Sequence, residues 1–305
     1  VSESPPTTTP VCYRHPGRET YVRCTRCDRP ICPDCMRDAS VGFQCPECVE
    51  EGRRSVRPAR TAFGGGAAGR RGLVTKALIA INVLVMLASI ASDRNGDAVV
   101  GGTGFGGLLG GSTPLTDWGA VLGAAIFPDG TIGGIAEGQW YRLVTAMFLH
   151  YGVLHLLLNM WALWVLGRSL EAQLGPLRFG ALYLLSGLGG NVAAYVFTEQ
   201  NRPTAGASTA VFGLFAALII IERRMGRDIS QIIPILVINL IFTFTVPGIS
   251  VPGHLGGLVV GGLMALVLAY APRSRRTLVQ AAGGAVLLVA LLGIALVRTA
   301  VLLGG

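Results

Sequence analysis

The chain has 305 residues, 51% of them hydrophobic and only 14% charged, with a mean hydropathy of +0.56. That balance excludes an ordinary water-soluble globular protein and points to a polytopic membrane protein with a small soluble appendage. Residues 1–76 hold 13 basic and 8 acidic side chains of the set behind the net +8, a surplus that membrane topology accounts for without a nucleic-acid partner.

Residues 1–11 are expected to be disordered. Residues 1–72 are polar and contain no apolar segment of the kind that forms a secretory leader, so insertion is expected to use internal spans. Four pairs at two-residue spacing follow: Cys12 with His15, Cys24 with Cys27, Cys32 with Cys35, and Cys45 with Cys48. Eight such donors suit two tetrahedral Zn2+ ions, and every cysteine of the chain is used. Seven thiols cannot pair evenly as disulfides, and zinc thiolates favour a reducing compartment, so this end is expected in the cytoplasm. With no ligand position left open both sites read as structural, and with few large apolar residues nearby the metal replaces a core. The order of the pairs resembles a B-box type zinc finger. The resemblance implies a cross-braced arrangement, Cys12, His15, Cys32 and Cys35 on one ion and Cys24, Cys27, Cys45 and Cys48 on the other; sequential pairing stays open. Such a module serves either to bind a cytoplasmic partner or as a folded cap.

From Val49 to Gly72 the composition shifts to Arg, Gly and Ala, which predicts a flexible basic tether. Seven apolar stretches then follow, near residues 73–92, 146–167, 174–197, 205–221, 229–247, 253–271 and 278–297. Each approaches the roughly 20 residues a membrane helix needs, and none alternates with the period of a strand. Arg53 to Lys76, Arg168, Arg178, Arg223, Arg224, Arg227, Arg273, Arg275 and Arg276 fall on one side of these spans. The positive-inside rule puts that side and the amino terminus in the cytoplasm, and the carboxyl terminus outside. Residues 93–142 form a long outer loop ending in Trp140-Tyr141-Arg142, where the aromatic pair suits the membrane interface and Arg142 is expected to reach toward headgroups.

Polar residues inside apolar spans cost roughly 2.5 kcal/mol or more unless they face a protein interior or water, so they mark function. On this topology Ser208, His254, His155 and Asn159 share one depth in the outer half. His155 and Asn159, four apart, share one helix face, while His150 falls off that face as a structural neighbour. A serine needs a base to become a nucleophile, and His254 is the histidine whose span start could approach Ser208. The His155 imidazole, the Asn159 amide and the Ser208 backbone N–H could meet a developing oxyanion. No carboxylate lies at this depth, which predicts a Ser-His dyad and not a triad. Gly257 and Gly261 make a small-residue face on span six, matched by Gly213 on span four, for close approach of the two helices.

These residues together, the Trp140-Tyr141-Arg142 element, His150-x4-His155-x3-Asn159, the Gly206-Ala207-Ser208 turn and His254-x2-Gly257-x3-Gly261, resemble a rhomboid intramembrane serine protease over residues 73–271. The resemblance implies an all-α fold: a six-helix transmembrane bundle, with residues 272–305 adding a seventh transmembrane helix. It implies Ser208 as nucleophile, His254 as general base, His155, Asn159 and the Ser208 amide as oxyanion hole, and supporting roles for His150, Trp140, Arg142, Gly206, Phe212, Gly257 and Gly261. Catalysis would need no cofactor, and the substrates would be transmembrane proteins cut near the outer face of the lipid bilayer. Two positions depart from the family pattern. Thr209 stands where Gly is usual, and a positive φ there would misdirect the oxyanion amide; Phe212 replaces a Tyr, keeping the ring for His254 but losing the hydroxyl. Thr209 also motivates a competing reading, a membrane adaptor that binds client helices without cutting. A histidine-relay transporter is disfavoured because no intramembrane Asp, Glu or Lys accompanies the histidines.

Overall fold

The computed structural model describes residues 9–55, 60–66, 71–93, 96, 111–127 and 130–304. The chain divides into two compact units, Val1–Ala59 and Arg60–Gly305. Sulfur fills the core of the first: Cys12, Cys24, Cys32, Cys35, Cys45 and Cys48 are buried together with Ile31, while Tyr13, Cys27 and Met36 pack against them. Around this core β1 (Val11–Cys12) pairs antiparallel with β2 (His15–Glu19), and β3 (Arg37–Asp38) with β4 (Phe43–Gln44). Helix α1 (Pro46–Ser55) opens on proline with Glu47 in its first turn and closes with Arg53 and Arg54, charges that oppose the helix dipole at both ends.

Two sequence expectations meet a different chain here. Pro10 and Val11, in the stretch expected to be disordered, are paired with Thr20 and Glu19; the remainder of that stretch, apart from Thr9, lies outside the described residues. Val49 to Ser55, expected as tether, continue α1, because the Cys45-x2-Cys48 pair starts a helix that local propensity carries on. Beyond residues 56–59, a turn closed by Thr61 N–H to Gly65 O (2.8 Å) buries Phe63 in the second unit.

Each apolar stretch of the second unit contains a long helix: α2 (Leu73–Ser92), α5 (Val153–Leu174), α6 (Pro176–Phe197), α7 (Ser208–Arg224), α8 (Ile232–Thr245), α9 (Val251–Tyr270) and α10 (Arg276–Gly304). Between α2 and α5 lie the short helices α3 (Pro114–Gly119) and α4 (Arg142–Thr145). Five segments are long and apolar enough to cross a membrane: α2, α5, α6, α9 and the stretch from Arg273 through α10. Helices α7 and α8 are shorter, at 17 and 14 residues. Helices α6, α7 and α9 pack most closely on one another. In α8 only Thr243 is buried.

The second apolar stretch, read from sequence as 146–167, is a helix only from Val153, and it runs on to Leu174. Ala146 to Phe148 form a 3-10 turn, Leu149 is extended, and Gly152 takes φ 82° before the helix starts. Ala146, Met147 and Leu149 are apolar because protein covers them. At the far end, Glu171 is tolerated inside the helix because its buried carboxylate accepts the N–H groups of Val74 (3.0 Å) and Thr75 (2.8 Å) and the Thr75 hydroxyl (2.7 Å). That side chain caps α2 from a neighbouring helix. Helix α10 is tied to α6 by Tyr195 Oη and Thr299 Oγ1 (2.8 Å) and by Gln280, which accepts from Arg178 Nε (2.7 Å), and to α9 by Gln280, which donates to Leu268 O (3.0 Å).

The described part of the outer loop is folded. Thr113 and Thr116 form a capping box at the start of α3, and β5 (Ala125–Ile126) pairs with β6 (Ile132–Gly133). The loop is stitched to the segment that leads into α7: Val121 and Thr204 exchange both backbone hydrogen bonds (2.8 and 2.9 Å). Gly206 N–H reaches Ala146 O at 2.9 Å. These bonds fix where α7 begins.

Candidate active site and metal-ligand clusters

Ser208 is the first residue of α7, and His254 lies in the first turn of α9, whose start is capped by Ser250 Oγ accepting from Gly253 N–H. The two helices meet through glycine. A Cβ on Gly257 would stand 1.9 Å from Thr209 O, and one on Gly261 would stand 2.3 Å from the Gly213 Cα, so backbone touches backbone. That closeness brings His254 Nε2 to 2.8 Å from Ser208 Oγ. The Phe212 ring, one turn along α7 from Ser208, stacks on the imidazole at 4.2 Å and 18°.

The other nitrogen of His254 meets a residue that the sequence did not single out. Nδ1 lies 2.8 Å from Thr243 Oγ1, near the end of α8. The Thr243 hydroxyl donates to the Asn239 carbonyl at 2.8 Å. Nothing in the sequence distinguished Thr243 from Thr245, because threonines in apolar helices commonly bond their own backbone.

His155 and Asn159 lie on α5, with Asn159 Nδ2 donating to His155 O at 3.0 Å; the amide keeps a second N–H. Gly206, at φ 146°, separates His155 from the serine: a Cβ there would stand 3.0 Å from His155 Nε2 and 3.3 Å from Ser208 Oγ. No other residue than glycine fits both that backbone and that gap. His150 is buried, accepts the Ala207 N–H at its Nε2 (3.4 Å), and meets the His155 ring edge-on at 5.0 Å. It therefore braces the turn before Ser208.

Thr209 has no positive φ; it continues α7, with its side chain among the glycines of neighbouring helices. A Cβ on Gly190 would stand 2.5 Å from Thr209 Cβ, and one on Gly253 would stand 3.2 Å from its methyl group. The backbone conformation that motivated concern over this residue is absent.

Arg142 is only 2% exposed, so the expectation that it reaches toward headgroups does not hold. Its guanidinium donates to Gln139 Oε1 (2.6 Å) and to the carbonyls of Asp117 (2.8 Å) and Ala120 (3.0 Å), holding the outer loop closed. A long cation beside unpaired carbonyls satisfies them before it reaches lipid. Trp140 packs against buried Ile135 and Leu143, while Tyr141 stacks at 4.7 Å on the half-exposed Trp118, a pairing the sequence did not predict.

In the amino-terminal unit two clusters form, Cys12, His15, Cys32 and Cys35, and Cys24, Cys27, Cys45 and Cys48, with the ligand atoms of each within 4.8 Å of one another. His15 Nδ1 lies 3.3 Å from Cys32 Sγ and 3.4 Å from Cys35 Sγ, and Cys27 Sγ lies 3.8 Å from Cys45 Sγ. A tetrahedron with Zn–S bonds of about 2.3 Å has edges of about 3.7 Å, so the spacing fits a metal. The electrostatics point the same way. Burial pushes the Cys12 and Cys24 thiols up, but N–H groups aimed at them outweigh it and bring both to about 6. Burial and neighbouring thiolates push Cys35 up to about 11, a repulsion that a dication would relieve. Arg29 Nε donates to Cys27 Sγ at 3.3 Å and lowers its pKa.

Known proteins resemble the second unit. The Rhomboid domain family matches residues 137–271. The rhomboid protease GluP of Bacillus subtilis is 43% identical over 139 residues, 44% of this chain and 27% of GluP. RHOMBOID-like protein 5 of Arabidopsis thaliana is 35% identical over 147 residues, 46% of this chain and 47% of the plant protein, so the chain spans at most about half of these relatives. YdcA of Bacillus subtilis, which carries a rhomboid name, is 34% identical over 148 residues, 47% of this chain and 74% of YdcA. With a relative this similar spanned over 74% of its length, and several helices able to cross a bilayer, the chain is an integral membrane protein and belongs to the rhomboid family.

Proposed function

We propose that the protein is an intramembrane serine endopeptidase that cuts transmembrane or juxtamembrane segments of membrane proteins by a Ser208-His254 dyad. The observation that carries this reading is the 2.8 Å contact between His254 Nε2 and Ser208 Oγ on two helices whose glycines hold them together. Ser208 Oγ attacks the scissile carbonyl while Nε2 takes its proton; the same nitrogen then protonates the leaving amine, and water admitted from the outer face releases the acyl group. His155, whose side chain makes no hydrogen bond among the described residues, joins the second Asn159 N–H and the Ser208 amide around the oxyanion. Trp140, Arg142, His150, Gly206, Phe212, Gly257 and Gly261 support this geometry without touching the reacting atoms. A substrate helix has to unwind at the cut, so small helix-weakening residues are expected there.

All seven apolar helices are proposed to belong to the membrane, α7 and α8 within the protein's own packing, with basic helix ends in the cytoplasm and the site opening on the far side. Each amino-terminal cluster is proposed to hold one structural Zn2+ in a B-box-like module, whose exposed surface would serve a cytoplasmic protein partner.

Fluorophosphonate labelling of the purified protein in lipid tests the dyad. Wild-type protein is expected to label, and Ser208→Ala and His254→Ala to abolish it. Wild-type protein that stays unlabelled while folded would favour the adaptor reading.

A further inference from the structure

Among the described residues no carboxylate bonds His254, yet the ring is held on three sides: by Ser208 at Nε2, by the Phe212 ring on its face and by Thr243 at Nδ1. The third contact has a direction. A carbonyl oxygen can only accept, so the single hydrogen of the Thr243 hydroxyl is committed to Asn239 O, and its oxygen is left to accept. With that hydrogen on Asn239 O, His254 Nδ1, 2.8 Å from the oxygen, takes the donor role. An imidazole protonated at Nδ1 is unprotonated at Nε2, the state that accepts the Ser208 proton.

We infer that Thr243 is a positioning residue of the active site: its hydroxyl oxygen, oriented by the Asn239 carbonyl, selects the Nδ1–H tautomer of His254 and sets the plane of the ring. The inference rests on the dyad reading above. Two further observations support it. Thr243 is the one fully buried residue of α8, a helix whose other side chains are partly or fully exposed, so the helix turns this hydroxyl inward at the base. Ser250 Oγ, at the start of α9, accepts the Gly253 N–H and makes no hydrogen bond to the ring. When His254 takes the serine proton it becomes an imidazolium, and the same oxygen faces its Nδ1–H, in the place where a carboxylate stands in a triad.

The test uses the full chain in lipid and the rate of fluorophosphonate labelling, resolved into a binding constant and a maximal rate. Thr243→Val keeps shape and removes the acceptor; Thr243→Ser keeps the acceptor and removes a methyl group. Thr243→Val is expected to lower the maximal rate about tenfold or more with the binding constant and thermal midpoint unchanged, and Thr243→Ser to stay within about twofold of wild type. Valine labelling at the wild-type rate would overturn the inference, as would serine as slow as valine, because packing would then be the cause. Failure of the dyad itself looks different: wild-type protein would not label, or Ser208→Ala would label equally.

Discussion

Glu171 shows how one ionisable residue can be spent on architecture inside this membrane domain. Its carboxylate is fully buried and answers three donors at the start of α2, where N–H groups have no partner in their own helix and the dipole favours negative charge. Glu171→Ala leaves all three unmet and is expected to cost about 3 kcal/mol; Glu171→Gln keeps an acceptor and should lose about 1 kcal/mol. Thermal unfolding in detergent ranks the two variants, and equal midpoints would reject the cap. The sequence reading did not single out Glu171, because a capping partner on another helix leaves no local signature. Thr209 teaches the converse. Its β-branched side chain conflicts with a glycine pattern on paper, yet it occupies the gap left by Gly190 and Gly253 and needs no unusual backbone.

At the scale of elements, glycine decides which helices touch. Gly261 and Gly262 are neighbours on α9 with opposite surroundings: a Cβ on Gly261 would meet the Gly213 backbone at 2.3 Å, whereas on Gly262 the nearest atom, the Ala216 Cβ, would be 3.6 Å away. Gly261→Ala must push α9 from α7 and separate His254 from Ser208, a displacement expected to slow labelling on the order of 10²-fold. Gly262→Ala should label as wild type and gain slightly in stability, since alanine costs a helix less than glycine. Equal behaviour of the two would show that helix contact does not hold the site. Helix content was legible because long apolar runs admit little else in a bilayer, and His155-x3-Asn159 placed two polar groups on one face. The start of α5 was not, since hydropathy measures distance from water and cannot tell a lipid-covered helix from the protein-covered turn at Ala146 to Leu149.

For the whole molecule, two units close two cores by different physics, aliphatic side chains in one and thiols in the other. The ligand positions of the thiol core were legible because their spacing is a local property; spacing left the grouping open, and the two sets that the resemblance implied are the ones that cluster. Six buried cysteines and one isoleucine supply too little apolar surface to offset the entropy of ordering the strands and turns around them, so under the proposal that each cluster holds zinc, metal binding would furnish the folding energy, roughly 10–16 kcal/mol for each structural zinc. Cys35 belongs to one cluster and Cys48 to the other. Metal analysis is therefore expected to find two zinc ions per wild-type chain and one in either Cys35→Ser or Cys48→Ser. Each variant removes only its own tetrahedral site. A strong chelator should then strip amide-exchange protection from residues 12–48, because strand pairs this short do not hold without the ligands that join them. Protection that survives complete metal removal would mean that the strand pairs and Ile31 suffice alone, and the metal would be a passenger in a fold that does not need it.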